Sequence, residues 1–167
     1  MDAIVNAANE DLAGGDGVDG AIHAVACLEE LYEAAQAAKR EKGWDRVPTG
    51  ESVITPGFNL AGYGTRYVIH TVGPIQDEHQ DQTLPLLESC FRTSLALAEQ
   101  QRDIRTIAYP LISTGVYGVP IATFAQAAKN VLPRYDFRNL NQVAIYVFQG
   151  PRTQQEAIPT LRTALGL

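Results

Sequence analysis

Short apolar segments alternate with longer amphipathic segments along nearly the whole chain, and this alternation constrains the fold more than any other feature. The segments typical of buried strands are residues 2–8, 51–55, 67–72, 105–109 and 142–148. Helical spacing of apolar residues fills residues 18–43, 84–98, 121–132 and 158–165. The sequence therefore predicts an α/β fold, in which helices cover both faces of a sheet.

Length and composition are those of an ordinary folded domain. The chain has 167 residues, of which 46% are hydrophobic and 19% are charged, and it contains no internal repeat or low-complexity tract. A chain of this size normally forms one domain with its own core. We therefore expect residues 1–167 to form a single domain.

Charge and hydropathy exclude several classes of function. The net charge is −6, and the longest basic cluster is Lys39-Arg40, which argues against extended nucleic-acid binding. No apolar run approaches a membrane span and no signal peptide opens the chain, so we expect a cytoplasmic monomer without membrane contact. Cys27 and Cys90 lie far apart in helical apolar patterns, which predicts buried free thiols, and no metal-ligand spacing occurs.

Two loops follow predicted strands, and ligands of α/β sheets bind outside the carboxyl ends of strands. Residues 9–17 contain the sequence GGDG before a helix, and residues 111–118 contain Ser-Thr-Gly-Val-Tyr-Gly before another. Glycine lets the backbone approach a ligand, and a helix start offers unpaired N–H groups and positive dipole charge. Either loop alone could be only a tight turn, but the pair favours a cradle for a diphosphate.

Polar side chains beside these loops are candidates for chemistry. Asp19 could simply favour the helix dipole, or it could bind ribose hydroxyls or orient water. Asn9 could contact the same hydroxyls, and Tyr117 could pack on a sugar ring or belong to the core. His23 and His70 lie in apolar segments, which indicates structural roles rather than general bases.

Four motifs together resemble the macrodomain family. They are VNAAN, GG-x-GVDGAIH, YVIHTVGP and ISTGVYG-x-P, in this order along the chain. The resemblance is to the branch that hydrolyses mono-ADP-ribose from proteins and deacetylates O-acetyl-ADP-ribose. It implies a three-layer α/β/α sandwich with a mixed, mostly parallel sheet and an ADP-ribose cleft between the two loops.

The resemblance also implies roles for individual residues. Asn9 would contact the distal ribose, Asp19 would position or activate the attacking water, and no metal or other cofactor would be needed. The full set of residues implied to bind the ligand is Ala8, Asn9, Gly14, Gly15, Gly17, Val18, Asp19, Ile22, Ser113, Thr114, Gly115, Val116, Tyr117 and Phe148. Phe148 would lie near adenine.

Two features depart from the family pattern. The family usually has an additional N-terminal strand and a Gly-Asp-Ile motif that contacts adenine, and the sequence starts after this point. We therefore expect residues 142–148 to form an exposed sheet edge and adenine recognition to be weak. The family usually has a small residue where this chain has Asp16, whose charge should disfavour a diphosphate unless it points to solvent.

The function expected from these features is hydrolysis of mono-ADP-ribose from acidic side chains of ADP-ribosylated proteins, or deacetylation of O-acetyl-ADP-ribose. One alternative is a non-catalytic ADP-ribose reader, which needs both loops but no acid at position 19. Another is a domain that binds a different nucleotide or an RNA end.

Overall fold

Five strands form one mixed sheet in the order β2-β3-β1-β4-β5. The computed structural model describes residues 1–148 and 150–167, except for the side chains of residues 151–154. The strands are β1 (Ala3–Ala8), β2 (Ser52–Pro56), β3 (Tyr67–Val72), β4 (Thr106–Tyr109) and β5 (Gln142–Ile145). Strand β1 pairs in parallel with β3 and β4, β4 pairs in parallel with β5, and β2 is antiparallel to β3.

Helices cover both faces of this sheet. They are α1 (Gly17–Ala26), α2 (Leu28–Glu41), α3 (Gln76–His79), α4 (Thr83–Gln100), α5 (Ile121–Val131) and α6 (Pro151–Leu165). None of the helices in the described part of the chain combines the length and apolar composition that a membrane span requires. The predicted three-layer α/β/α sandwich with a mixed, mostly parallel sheet is confirmed.

Alternation of side chains along the strands divides the core into two sides. On one side, Val5, Ile69 and Ile107 pack with apolar residues of α4, α5 and α6. On the other side, two smaller apolar clusters pack against α1 and α2, and they include Val68 and Val53. Polar residues lie among the apolar residues on this second side of the sheet, and the candidate functional site lies next to them.

Three predicted elements have other bounds than expected; one is the last helix, which begins at Pro151 instead of residue 158. The helix expected over residues 18–43 is two helices, because Cys27 has φ 94° and breaks the helical path between α1 and α2. Both thiols are free, but the expected burial holds only for Cys90 within α4 and is wrong for Cys27, which is half-buried at the break. Nothing in the local sequence signals the break, since position 27 is neither glycine nor proline.

The last strand is shorter than the predicted residues 142–148. Strand β5 ends at Ile145, which pairs with Tyr109, the last residue of its partner β4. The final bond between the two segments runs from the Tyr146 N–H to the Tyr109 carbonyl. Within the described residues, β5 has no neighbour on its other side, so the expected sheet edge is confirmed for Gln142–Ile145.

Candidate functional site

The two candidate loops leave the same edge of the sheet. Strands β1 and β4 are adjacent and parallel, with Ala3 opposite Ile107 and Ile4 opposite Ala108. Their carboxyl ends therefore point the same way, and we call residues 9–16 the glycine loop and residues 110–120 the second loop. This adjacency is the arrangement that a ligand bridging both loops requires.

Hydrogen bonds of Asn9 hold the glycine loop in shape. The Asn9 Nδ2 donates to the Gly14 carbonyl at 2.9 Å, and the Asn9 Oδ1 accepts from the Ala13 N–H at 3.2 Å. Leu12 has φ 54° and is buried, so its side chain anchors the loop in the apolar cluster beneath it. Asn9 is thus engaged by its own loop in this structure.

Close approach between the glycine loop and α1 requires glycine. A Cβ on Gly20 would overlap the Gly15 carbonyl oxygen, so the helix backbone lies directly against the loop. A Cβ on Gly15 would lie 3.3 Å from the Asp19 Oδ2 and 3.8 Å from the Asn9 Nδ2. The structure therefore brings Asn9, Gly15 and Asp19 together, as the sequence predicts.

The amino terminus of α1 has the properties of an anion-binding site. Asp16 is the N-cap residue, but its exposed side chain makes no capping hydrogen bond. The first-turn N–H groups therefore have no side-chain cap, and the helix dipole adds positive charge there. Gly17 and Val18 begin this helix at an exposed surface, where a phosphate could approach.

Asp19 is a buried acid with a fixed orientation. Its residue is 4% exposed, and its Oδ1 accepts a hydrogen bond of 2.7 Å from the Asn6 Nδ2. The His23 Nδ1 lies 3.1 Å from the same oxygen and 3.0 Å from the Asp19 carbonyl. Among the described residues, the side-chain bonds to this carboxylate all end on Oδ1, and Oδ2 faces Gly15 of the glycine loop.

The second loop is held by its own backbone and by close contact with the strand end below it. Ser113 has φ 64°, and its buried Oγ has no hydrogen-bond partner among the described residues. A Cβ on Gly73 would overlap that Oγ, so glycine at position 73 makes room for Ser113. The Thr114 hydroxyl donates to the Leu111 carbonyl, while Gly115 is exposed.

Tyr117 of the second loop faces a cavity that residues of the glycine loop also line. It lines a cavity of about 270 Å³ together with Asn9, Gly73 and His79. Partial burial raises the pKa of the Tyr117 hydroxyl, and the nearby carboxylates of Glu10, Asp19 and Glu78 raise it further. Tyr117 therefore stays a neutral phenol at physiological pH and can donate a hydrogen bond into this cavity.

The remaining candidates differ in exposure. Ala8 and Ile22 are buried beneath the glycine loop and α1, whereas Val18 is 41% exposed. Val116 is 96% exposed at the tip of the second loop, and Phe148 is 84% exposed beyond the end of β5. The structure does not bring Val116 or Phe148 against the buried part of the site, and their roles stay predictions.

Asn6 is a residue of the site that sequence reasoning missed. Its side chain is fully buried in the middle of β1, where it contacts both Asp19 and His70. The signal was present, because an asparagine within an otherwise apolar strand needs buried partners for its amide. Among the described residues, no group of three or more His, Cys, Asp and Glu side chains is placed to hold a metal ion.

His70 is a neutral structural histidine. Burial, and to a smaller extent the nearby His23, lowers its pKa from 6.5 to about 3. Its two ring nitrogens lie 3.1 Å from the Asn6 Nδ2 and 3.0 Å from the Thr55 Oγ1. The expected structural role of His70 agrees with these contacts, and the ring cannot act as a base near neutral pH while its pKa is so low.

Replacement of Gly20 by alanine tests the contact between α1 and the glycine loop. The added Cβ overlaps a backbone oxygen of Gly15 that no rotamer change can move. We expect Gly20→Ala to lower the free energy of unfolding by about 1–3 kcal/mol in urea titrations. Gly62→Ala is the control, because a Cβ there meets no atom within 4 Å. Equal stabilities of the two variants would contradict the contact.

The low pKa of His70 predicts a specific pH dependence of stability. Between pH 6.5 and about 3 the unfolded chain binds a proton at this ring and the folded protein does not, so stability falls as the pH falls. In His70→Gln this contribution is absent. We expect the acid-side slope of unfolding free energy to be shallower than in the wild type, by up to about 1.4 kcal/mol per pH unit. Chemical denaturation between pH 4 and 7 measures both slopes, and parallel curves would refute a neutral buried ring.

Comparison with known proteins identifies the family. The model of the Macro domain family matches residues 5–128. A macro domain-containing protein of Ralstonia nicotianae is 55% identical over 119 residues, which cover 71% of this chain and 63% of that protein. The chain therefore spans less than two thirds of this relative. A protein of Escherichia fergusonii named O-acetyl-ADP-ribose deacetylase is 44% identical over 146 residues, covering 87% of this chain and 78% of its own length.

Solved structures agree with the sequence comparison. A mutant of the Oceanobacillus iheyensis macrodomain with ADPR superimposes with a TM-score of 0.83 and 37% identity, covering 100% of this chain and 88% of that one. The Trypanosoma brucei macrodomain in complex with ADP-ribose gives a TM-score of 0.76 and 34% identity, covering 99% of this chain and 64% of that one. On these matches and on the geometry of its two loops, the chain belongs to the Macro domain family.

Proposed function

We propose that this protein binds ADP-ribose and hydrolyses an ester of it. The substrates are O-acetyl-ADP-ribose, or mono-ADP-ribose esterified to an acidic side chain of a protein. The observation that carries the proposal is the buried Asp19, whose Oδ2 faces the glycine loop beside a helix start that suits a diphosphate. The names of relatives support it, because proteins 44–47% identical to this chain are called O-acetyl-ADP-ribose deacetylase.

The proposed ligand would lie across both loops. The α1 amino terminus and the second loop would bind the diphosphate through backbone N–H groups, which suits a site with no basic cluster. The distal ribose would then lie near Asn9, Asp19 and Tyr117. Solved macrodomains that carry ADP-ribose and superimpose on this chain support this choice of ligand.

The proposed reaction is the addition of water to an ester. For O-acetyl-ADP-ribose, water attacks the acyl ester, the bond to the ribose oxygen breaks, and acetate and ADP-ribose leave. For a modified protein, the carboxyl side chain and ADP-ribose are the products. Asp19 would place the water through its Oδ2, and either Asp19 or a phosphate of the substrate would accept the proton. Orientation of ligand and water within the cleft would supply much of the rate enhancement.

Replacement of Asp19 by asparagine tests the enzymatic part of the proposal. We expect Asp19→Asn to lower turnover by about 10²- to 10⁴-fold, because the amide cannot accept a proton from water. Affinity for ADP-ribose should change only a few-fold, since the side chain keeps its shape. Release of acetate or ADP-ribose measures turnover, and isothermal titration calorimetry measures affinity.

Asp16→Asn is the matched control, because it removes an exposed acid three residues away and should retain turnover. Full turnover in Asp19→Asn would remove Asp19 from the reaction. Tight binding of ADP-ribose with no turnover of either substrate by the wild type would instead identify a reader module.

Asp16 generates a separate prediction about affinity. Its carboxylate lies at the start of α1 without a hydrogen bond there, so it should repel a bound diphosphate. We expect Asp16→Gly and Asp16→Asn to bind ADP-ribose more tightly, by up to about fivefold, with the gain shrinking as salt is added. Calorimetric titrations at two ionic strengths measure this, and unchanged affinity would show that the carboxylate points away from the ligand.

A further inference from the structure

Behind Asp19, four buried polar side chains form a continuous row across the sheet. They come from β2, β3, β1 and α1, and in that order they are Thr55, His70, Asn6 and Asp19. The successive distances are 3.0 Å, 3.1 Å and 2.7 Å. Each of the four residues is at most 4% exposed, so water does not compete for these bonds. We call Thr55, His70 and Asn6 the buried polar row.

Chemistry fixes the direction of every hydrogen bond in the row. The Asn6 Nδ2 can only donate, so the facing Nδ1 of His70 must accept, and the proton of the neutral ring lies on Nε2. That Nε2–H donates to the Thr55 Oγ1, and the Thr55 hydroxyl in turn donates to the Val68 carbonyl with 3.4 Å between the two oxygens. The row therefore ends at a backbone carbonyl of β3. Because a carbonyl can only accept, the direction of the hydrogen bonds along the row cannot be reversed.

The orientation of the Asn6 amide depends on its nitrogen alone. Its Oδ1 is buried and has no partner among the described residues, so nothing holds the amide from that side. The two protons on Nδ2 go to His70 and to Asp19. If the His70 acceptor is lost, one of the two restraints on the amide disappears. A flipped amide would then place its oxygen against the Asp19 carboxylate, which is repulsive.

We infer that Thr55 and His70 are positioning residues for Asp19, acting through Asn6 to keep Oδ1 inside the protein and Oδ2 toward the glycine loop. Neither residue would touch the substrate. This inference rests on the proposed function for its kinetic consequence. Side chains of three adjacent strands would thus determine how the Asp19 carboxylate is oriented toward the cleft.

Removal of the Thr55 hydroxyl tests the inference. Thr55→Val keeps the shape of the side chain but removes the acceptor of the His70 Nε2–H. We expect kcat to fall about three- to tenfold with KM nearly unchanged, because ligand contacts stay and Asp19 loses the restraint through Asn6 while it keeps its contact with His23. Thr55→Ser keeps the hydroxyl and should restore most of kcat.

Thr71→Val is the matched control for stability. Thr71 is buried like Thr55 but lies on β3, where it points to the face of the sheet opposite His70, and its hydroxyl donates to the Glu51 carbonyl. We expect this variant to lose stability without losing kcat. Similar losses of kcat in Thr55→Val and Thr71→Val would overturn the positioning role, as would wild-type kcat in Thr55→Val.

Nuclear magnetic resonance provides a measurement that does not need turnover. In the wild type the ¹⁵N signals of His70 should show a single Nε2–H tautomer, and the Asn6 amide protons should exchange slowly with solvent. Thr55→Val should mix the tautomers, speed this exchange and shift the Asp19 carboxyl ¹³C signal. Thr71→Val should do none of these.

The kinetic and magnetic resonance measurements together distinguish a failure of the proposed hydrolysis from a failure of the positioning role. An inactive wild-type protein whose Asp19 signal still responds to Thr55→Val would reject the proposed hydrolysis and keep the positioning of Asp19. An active protein in which Thr55→Val leaves the Asp19 and Asn6 signals unchanged would reject the positioning and keep the hydrolysis.

Discussion

The site depends on a carboxylate that has been taken out of water. Burial of an ionised acid is costly unless hydrogen bonds replace its lost hydration. Among the residues that the structure describes, Asp19 meets this condition only at Oδ1, which Asn6 and His23 contact. Because those partners come from β1 and from α1 itself, the helix, the strand and the acid are fixed together, and the glycine loop closes over the other oxygen.

Much of the fold could be predicted because local patterns and long-range packing agree. Strand β3 has the predicted bounds, and α5 ends within one residue of its prediction, since buried apolar runs and turn residues delimit both. The positions of the two loops followed from the rule on strand ends, and the parallel pairing of β1 with β4 satisfies it. The motifs likewise predicted that Asn9, Gly15 and Asp19 lie close together, as they do in the structure.

Other features depend on tertiary contacts that leave no local trace. The break at Cys27 lies within an uninterrupted helical pattern, and β5 ends where its neighbour β4 ends. The role of Asn6 requires knowing that β3 places His70 directly opposite it. The apolar neighbours of Asn6 in the sequence predict that this polar side chain is buried, but its partner across the sheet is determined by the register of β1 and β3.

The bonds of Asn9 to its own loop give any ligand a chemical condition to meet. Its amide nitrogen is donating to Gly14 and its oxygen is accepting from Ala13. A group that takes over both positions must accept one hydrogen bond and donate another, which a free hydroxyl can do and an ester oxygen cannot. The Asn9 amide keeps a second N–H and a second lone pair beyond these bonds, and this pair of donor and acceptor suits an unmodified hydroxyl better than an acylated one.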